Sequence, residues 1–221
     1  MSAHALDALL RSLVVALTGT AIATLVGVAI AAWLARRRGP FVSIVESLVI
    51  APMVLPPTVL GFALLLVIGR TGVVGRAIER VFGAPIVFTI TACVIAAFLA
   101  ALPFVVRTAR VAFESVDERL LDAAATLGAS RARAFVTVVL PLAKGGVVAG
   151  ATLGFARALG EFGVTLMIAG NIPDLTQTAA LAIYDAVLQG KTDDALALSL
   201  ALGLVGVCAV VVGERLGRSR G

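Results

Sequence analysis

Five stretches of this chain are apolar around the whole circumference of any helix they would form, and nothing else in the sequence limits the fold as strongly. A helix on a soluble protein carries one apolar stripe and a polar opposite face; without the polar face it is buried or lies in lipid. About 20 such residues cross the hydrocarbon core of a bilayer. The stretches cover residues 9–34, 44–68, 86–106, 145–169 and 195–213. With 60% of residues apolar and 14% charged, against a soluble average near a quarter charged, little polar surface remains to enclose them. The mean hydropathy, +1.08, agrees. The expected fold is all-α and integral to the membrane, a single transmembrane domain over 1–221 with about five transmembrane helices. The first stretch is too long for a signal-peptide core, and further spans follow it, so it is expected to be retained.

The charge pattern sets an orientation. The formal charge is +5, but the basic residues cluster at the ends of apolar stretches, and a single Trp and a single Tyr offer little for base stacking, so no nucleic-acid partner is expected. If Arg36, Arg37 and Arg38 are cytoplasmic, alternation places 107–144 and the tail bearing Arg215, Arg218 and Arg220 on the same side. Twelve Lys and Arg then lie inside and five outside, with Arg157 within a span. The excess puts the N-terminus outside and the C-terminus in the cytoplasm. Cys93 and Cys208 lie in apolar spans without metal-ligand spacing and His4 stands alone, so no metal site is expected.

Segment 107–144 is the longest polar stretch. Residues 107–121 have a helical pattern with Glu114, Asp117 and Glu118 near Arg110 and Arg119, which reads as a solvated helix with weak ion pairs. Asp122-Ala123-Ala124-Ala125-Thr126-Leu127 then favours a short helix, Gly128 permits a sharp exit, and Ser130 can cap the next helix. An exposed helix of alanines suits docking into a partner's groove. No phosphate-binding loop accompanies it. Gly145 to Gly150 has the glycine spacing but is followed by Ala151-Thr152, and Gly190-Lys191-Thr192 has the ending but Asp185 where the first glycine belongs.

This stretch resembles the cytoplasmic loop signature of ABC importer permeases: an acidic residue and two alanines, a glycine after three more, an aliphatic ten positions later, and Leu-Pro. Here it reads Asp122-Ala123-Ala124, Gly128, Val138 and Leu140-Pro141. Asp122 stands for the usual Glu, keeping its charge but reaching one methylene less far. The resemblance implies that the segment is the coupling helix inserted into a separate ATP-hydrolysing subunit. The chain itself is then a translocating subunit and not an enzyme.

The remaining polar features lie along the spans. Pro52, Pro56 and Pro57 disturb the second stretch, as a kinked helix lining the pathway or one kinked for packing. Gly146, Gly150 and Gly154 fit a close helix contact, either across a homodimer or within the subunit. Arg157 and Glu161 are one turn apart within a span, as a structural pair or as the holder of a gate beside a helix loosened by Gly160 and Gly163. The polar segment 171–194 is expected to hold a short amphipathic helix from near Thr178. In it Thr176, Gln177 and Thr178 serve either as donors to a passing anion or as caps.

Leu55-Pro56-Pro57-Thr58-Val59, Leu159 to Gly163, Ala169-Gly170-Asn171-Ile172-Pro173, and Thr176-Gln177-Thr178 with Ala182-Ile183-Tyr184 resemble, over nearly the whole chain, the molybdate branch of that family. Sulfate and thiosulfate permeases are similar around Gly160-Glu161 and Ala169 to Asn171, and remain the alternative. The resemblance implies a homodimer, two ATP-binding subunits that use ATP and Mg²⁺, and an extracytoplasmic molybdate-binding protein, in a bacterial inner membrane. Tungstate is expected to follow molybdate, and no cofactor is expected on this chain. A self-contained secondary transporter would need internal repeats and several intramembrane carboxylates. Glu161 is the sole acidic residue well inside a span. A scaffold would have no use for the Asp122–Pro141 spacing.

Overall fold

The computed structural model describes residues 3–218, in which every regular element is a helix. Arg220, assigned above to the cytoplasmic tail, lies outside the described residues. The centre is α5 (Ile90–Glu114), the fifth helix in chain order, with α1 (Ala3–Ala35) on one side and α9 (Lys144–Leu159) on another. Small residues explain why these three meet. The buried face of α5 carries Ala92, Cys93, Ala96, Ala97, Ala101 and Ala109. A Cβ on Gly19 of α1 would lie 2.7 Å from the Ala97 Cβ, and one on Gly27 2.8 Å from a Val105 methyl. On the α9 side, a Cβ on Gly150 would lie 3.1 Å from the Val105 Cα and one on Gly154 3.2 Å from the Ala101 Cβ, while Gly146 faces Ala112. The Gly146–Gly150–Gly154 row therefore joins two helices of the same subunit. Close backbone approach of this kind is what holds helices together where lipid removes the hydrophobic drive between them.

Stretch 44–68 is not one kinked helix but a broken pair. It forms α2 (Pro40–Val54) and α3 (Pro57–Ile68), bent by 118° at Leu55–Pro56. A residue preceding proline is pushed out of the helical region. Leu55 precedes Pro56 and Pro56 precedes Pro57, so two successive residues are extended, with ψ of 141° and 135°. Pro52 stays inside α2. Stretch 145–169 is also divided, into α9 and α10 (Gly163–Ala169), with the gap at Gly160–Phe162. The third stretch continues past residue 106, because α5 runs unbroken to Glu114; the polar residues from Arg107 extend the spanning helix instead of starting a new one.

Beyond α5 come α6 (Glu118–Thr126), α7 (Arg131–Ala134), a π-helical turn (Phe135–Val139) and α8 (Leu140–Leu142). Segment Arg131–Leu142 meets α9 at 70°. An amphipathic α4 (Val73–Phe82) follows α3, and α11 (Ala179–Leu188) and α12 (Thr192–Arg218) complete the chain. Among the described residues three helices are long and apolar enough to cross a membrane, His4–Ala35, Ile90–Glu114 and Thr192–Gly217, and up to five spans result if each bent pair counts as one.

Candidate functional site

The coupling segment is built by local chemistry. Asp117 opens α6, its carboxylate accepting from the Arg119 N–H at 2.9 Å. At the other end the Gly128 N–H donates to the Ala125 carbonyl (2.9 Å) and the Ala129 N–H to the Ala124 carbonyl (3.0 Å), with Gly128 at φ +79°. This is a Schellman ending, and it needs a residue that tolerates the left-handed region. Ser130 then caps α7, its hydroxyl accepting from the Arg133 N–H at 3.3 Å. Among the described residues α6 buries no side chain; Asp122 and Ala123 are exposed, Ala124 half-buried, and Leu127 88% exposed. Leu140 and Pro141 stand apart from α6, after the π turn. A proline at 141 cannot donate to the preceding turn, and the wider π winding just before it accommodates the missing bond.

A second cluster gathers at the two breaks. Pro57 at the start of α3 packs on Gly163 at the start of α10, where an added Cβ would sit 2.5 Å from the proline ring; Gly61 likewise faces Met167. Beside them Arg157 Nη1 lies 2.7 Å from Glu161 Oε2. The other carboxylate oxygen of Glu161 accepts from the Val164 N–H at 2.9 Å, so Glu161 caps α10 as well as pairing. Its side chain is 3% exposed and that of Arg157 38%. Pro52, Pro57, Arg157 and Glu161 line a void of only about 10 Å³ with Leu60 and α5. The structure thus brings Pro57, Arg157, Glu161 and Gly163 together, with Glu161 buried and Pro57 exposed. Pro56, also exposed, lies in the break itself, and nothing lies within 4 Å of a Cβ placed on Gly160.

Asn171, Thr176 and Thr178 belong to a third group, in the loop between α10 and α11. The Thr176 hydroxyl has its one donor in use: it accepts from the Ile172 N–H (3.1 Å) and donates to the Gly170 carbonyl (3.3 Å), and the residue is 0% exposed. It shapes the loop. Thr178 stands at the N-cap of α11 without capping it; the Ala179 N–H donates instead to Ser12 of α1 at 2.7 Å. The Thr178 hydroxyl and the Asn171 side-chain carbonyl are buried with no partner among the described residues. Of the two threonines, Thr178 keeps donor capacity. Sequence reasoning missed Ser12, Arg11, whose guanidinium donates to the Gln177 carbonyl at 2.8 Å, and Glu46, which pairs with Arg110 at 2.8 Å. These partners lie far apart in the chain, and no local spacing marks them.

Residues 8–219 match the family described as binding-protein-dependent transport system inner membrane component. A molybdenum transport system permease protein of Azotobacter vinelandii is 44% identical over 187 residues, covering 85% of this chain and 83% of that protein. One from Mycobacterium bovis is 43% identical over 93% of this chain and 76% of its own length. One from Escherichia coli K12 is 38% identical over 85% and 82%. In fold the chain is similar to a chain of a bacterial alginate ABC transporter (TM-score 0.74, 15% identity, 99% of this chain and 80% of that one). It is also similar to one of an inward-facing methionine ABC transporter (TM-score 0.72, 18% identity, 99% of each). This chain belongs to the binding-protein-dependent transport system inner membrane components.

Proposed function

We propose that the chain is the pore-forming permease subunit of an ATP-driven molybdate importer that also carries tungstate. The observation that carries the reading is the identity of 38–44% to molybdenum transport permeases along more than four fifths of the chain. Two copies would work with two ATP-binding subunits and an extracytoplasmic binding protein, the N-terminus outside and the C-terminus inside. The translocating subunit itself hydrolyses nothing; ATP and Mg²⁺ belong to the partner.

The geometry supports alternating access. Closure of the ATP-binding subunits would displace α6, whose uncovered alanines and Leu127 supply the docking face, and α5 follows because it joins α6 through only Ser115–Asp117. The tight Pro57–Gly163 contact would then open. A dianion passing there meets the half-exposed Arg157 guanidinium, which has donors beyond the one given to Glu161. Because Glu161 already balances that charge, the anion is held weakly and released, as a transport step requires. Selectivity would rest mostly with the binding protein.

Uptake of radiolabelled molybdate into proteoliposomes containing the three components tests this. ATP-dependent uptake abolished by excess tungstate but not by excess sulfate is expected. Inhibition by sulfate would move the chain to the sulfate branch, and uptake without ATP would overturn the permease reading.

A further inference from the structure

The two ends of the transport machinery lie on different elements. The segment that would receive the push is α6, next to α5; the break that must respond lies between α2 and α3. Helix α2 has a weak grip on the core, with only Val42 and Val49 buried among its 15 residues. Toward its N-terminal end packing is interrupted by a cavity of about 490 Å³. Arg36, Gly39, Val42 and Glu46 wall it on one side and Arg110, Phe113, Leu121 and Phe135 on the other.

One side chain crosses between these walls with both ends fixed. Arg110, one turn before the end of α5, places Nη1 2.8 Å from Glu46 Oε2 on α2 and Nε 2.7 Å from Glu114 Oε1 on its own helix. Its side chain is 24% exposed, less than either carboxylate. The Glu114 contact holds the guanidinium in one orientation, and the fork then presents its remaining edge to Glu46. A lysine, a compact charge on a flexible stem, has no such geometry.

We propose that Arg110 is a positioning residue that makes α2 travel with α5, so that displacement of the α6 coupling segment reaches the α2–α3 break. The inference rests on the permease reading above. The tie works as a permanent strut: Glu46 follows Arg110 through the cycle, α2 carries the motion past Pro52, and α3 delivers it to Gly163 and Glu161 through the Pro57 contact. The α2 wall of the cavity has room to shift when the tie is cut, so α6 then moves without pulling the break open.

The test is the number of molybdate ions taken up per ATP hydrolysed by the reconstituted transporter. Glu46→Ala, which removes the acceptor for Arg110, is expected to lower this ratio by about threefold or more while ATP hydrolysis persists, within the range that coupling residues command. Glu114→Gln, which leaves the α2 contact in place, is expected to lower it less. Should Glu46→Ala fail to accumulate, Arg110→Lys keeps the positive charge and is expected to lower the ratio at an unchanged melting temperature. A wild-type ratio in Glu46→Ala or in a folded Arg110→Lys would overturn the inference. Wild-type protein without ATP-driven uptake would instead defeat the permease reading, and this inference with it.

Discussion

The carboxylate of Glu161 serves two neighbours at once, pairing with Arg157 through one oxygen and capping α10 through the other. Glutamine can still accept from the Val164 N–H, whereas alanine cannot, so the two substitutions separate the roles. Glu161→Ala is expected to cost about 1 kcal/mol more than Glu161→Gln, the worth of a helix cap. Arg157→Ala leaves a buried carboxylate with one hydrogen bond. It is expected to cost about 2 kcal/mol, below the usual figure for breaking a buried pair because the arginine is half in the open. Thermal unfolding in nanodiscs gives the order, and Glu161→Gln being the most damaging of the three would contradict it. The pairing was legible in the sequence from a spacing of four. The cap was not, since it required knowing that the helix stops at Leu159 and restarts at Gly163.

At the scale of elements, α6 and its exit were the most legible part of the chain. The alanine run, the glycine and the capping serine act through local hydrogen bonds, and local rules suffice. Replacing Gly128 by Val puts a β-branched residue at φ +79°, although nothing lies within 4 Å of the added Cβ. The left-handed strain is expected to alter the α6 exit while leaving the melting temperature of the transmembrane body near wild type. Transport should fall about tenfold, the factor that ~1.4 kcal/mol of such strain sets. Uptake by the reconstituted variant, with circular dichroism as the folding control, checks this; unimpaired uptake would remove α6 from the coupling path. The element least legible was the second stretch. Hydropathy counts apolar residues and is blind to direction, so 44–68 reads as one span. Only the succession of two pre-proline positions distinguishes a 118° break from a kink. The glycine row of α9 was open between two partners for a related reason: sequence shows that a face is small, not which helix meets it.

At the scale of the molecule, the charge asymmetry makes the orientation testable. In a Cys208→Ser background, a cysteine replacing Leu175 is expected to react with a membrane-impermeant maleimide from outside. One replacing Ser130 is expected to react only after permeabilisation; the opposite pattern would invert the topology. The helical, membrane-spanning character of the chain was legible from composition and block length. The way α1, α5 and α9 assemble was not, because it depends on which small faces coincide in space. The divided second stretch also bears on how such a chain is made. At 15 and 12 residues, α2 and α3 each fall short of the about 20 needed to cross a bilayer. Their exposed backbone at the break has to be covered by protein. The seat for α3 is α10, made roughly a hundred residues later. During synthesis, then, the broken pair lacks the cover for its break until the second half of the chain has entered the lipid.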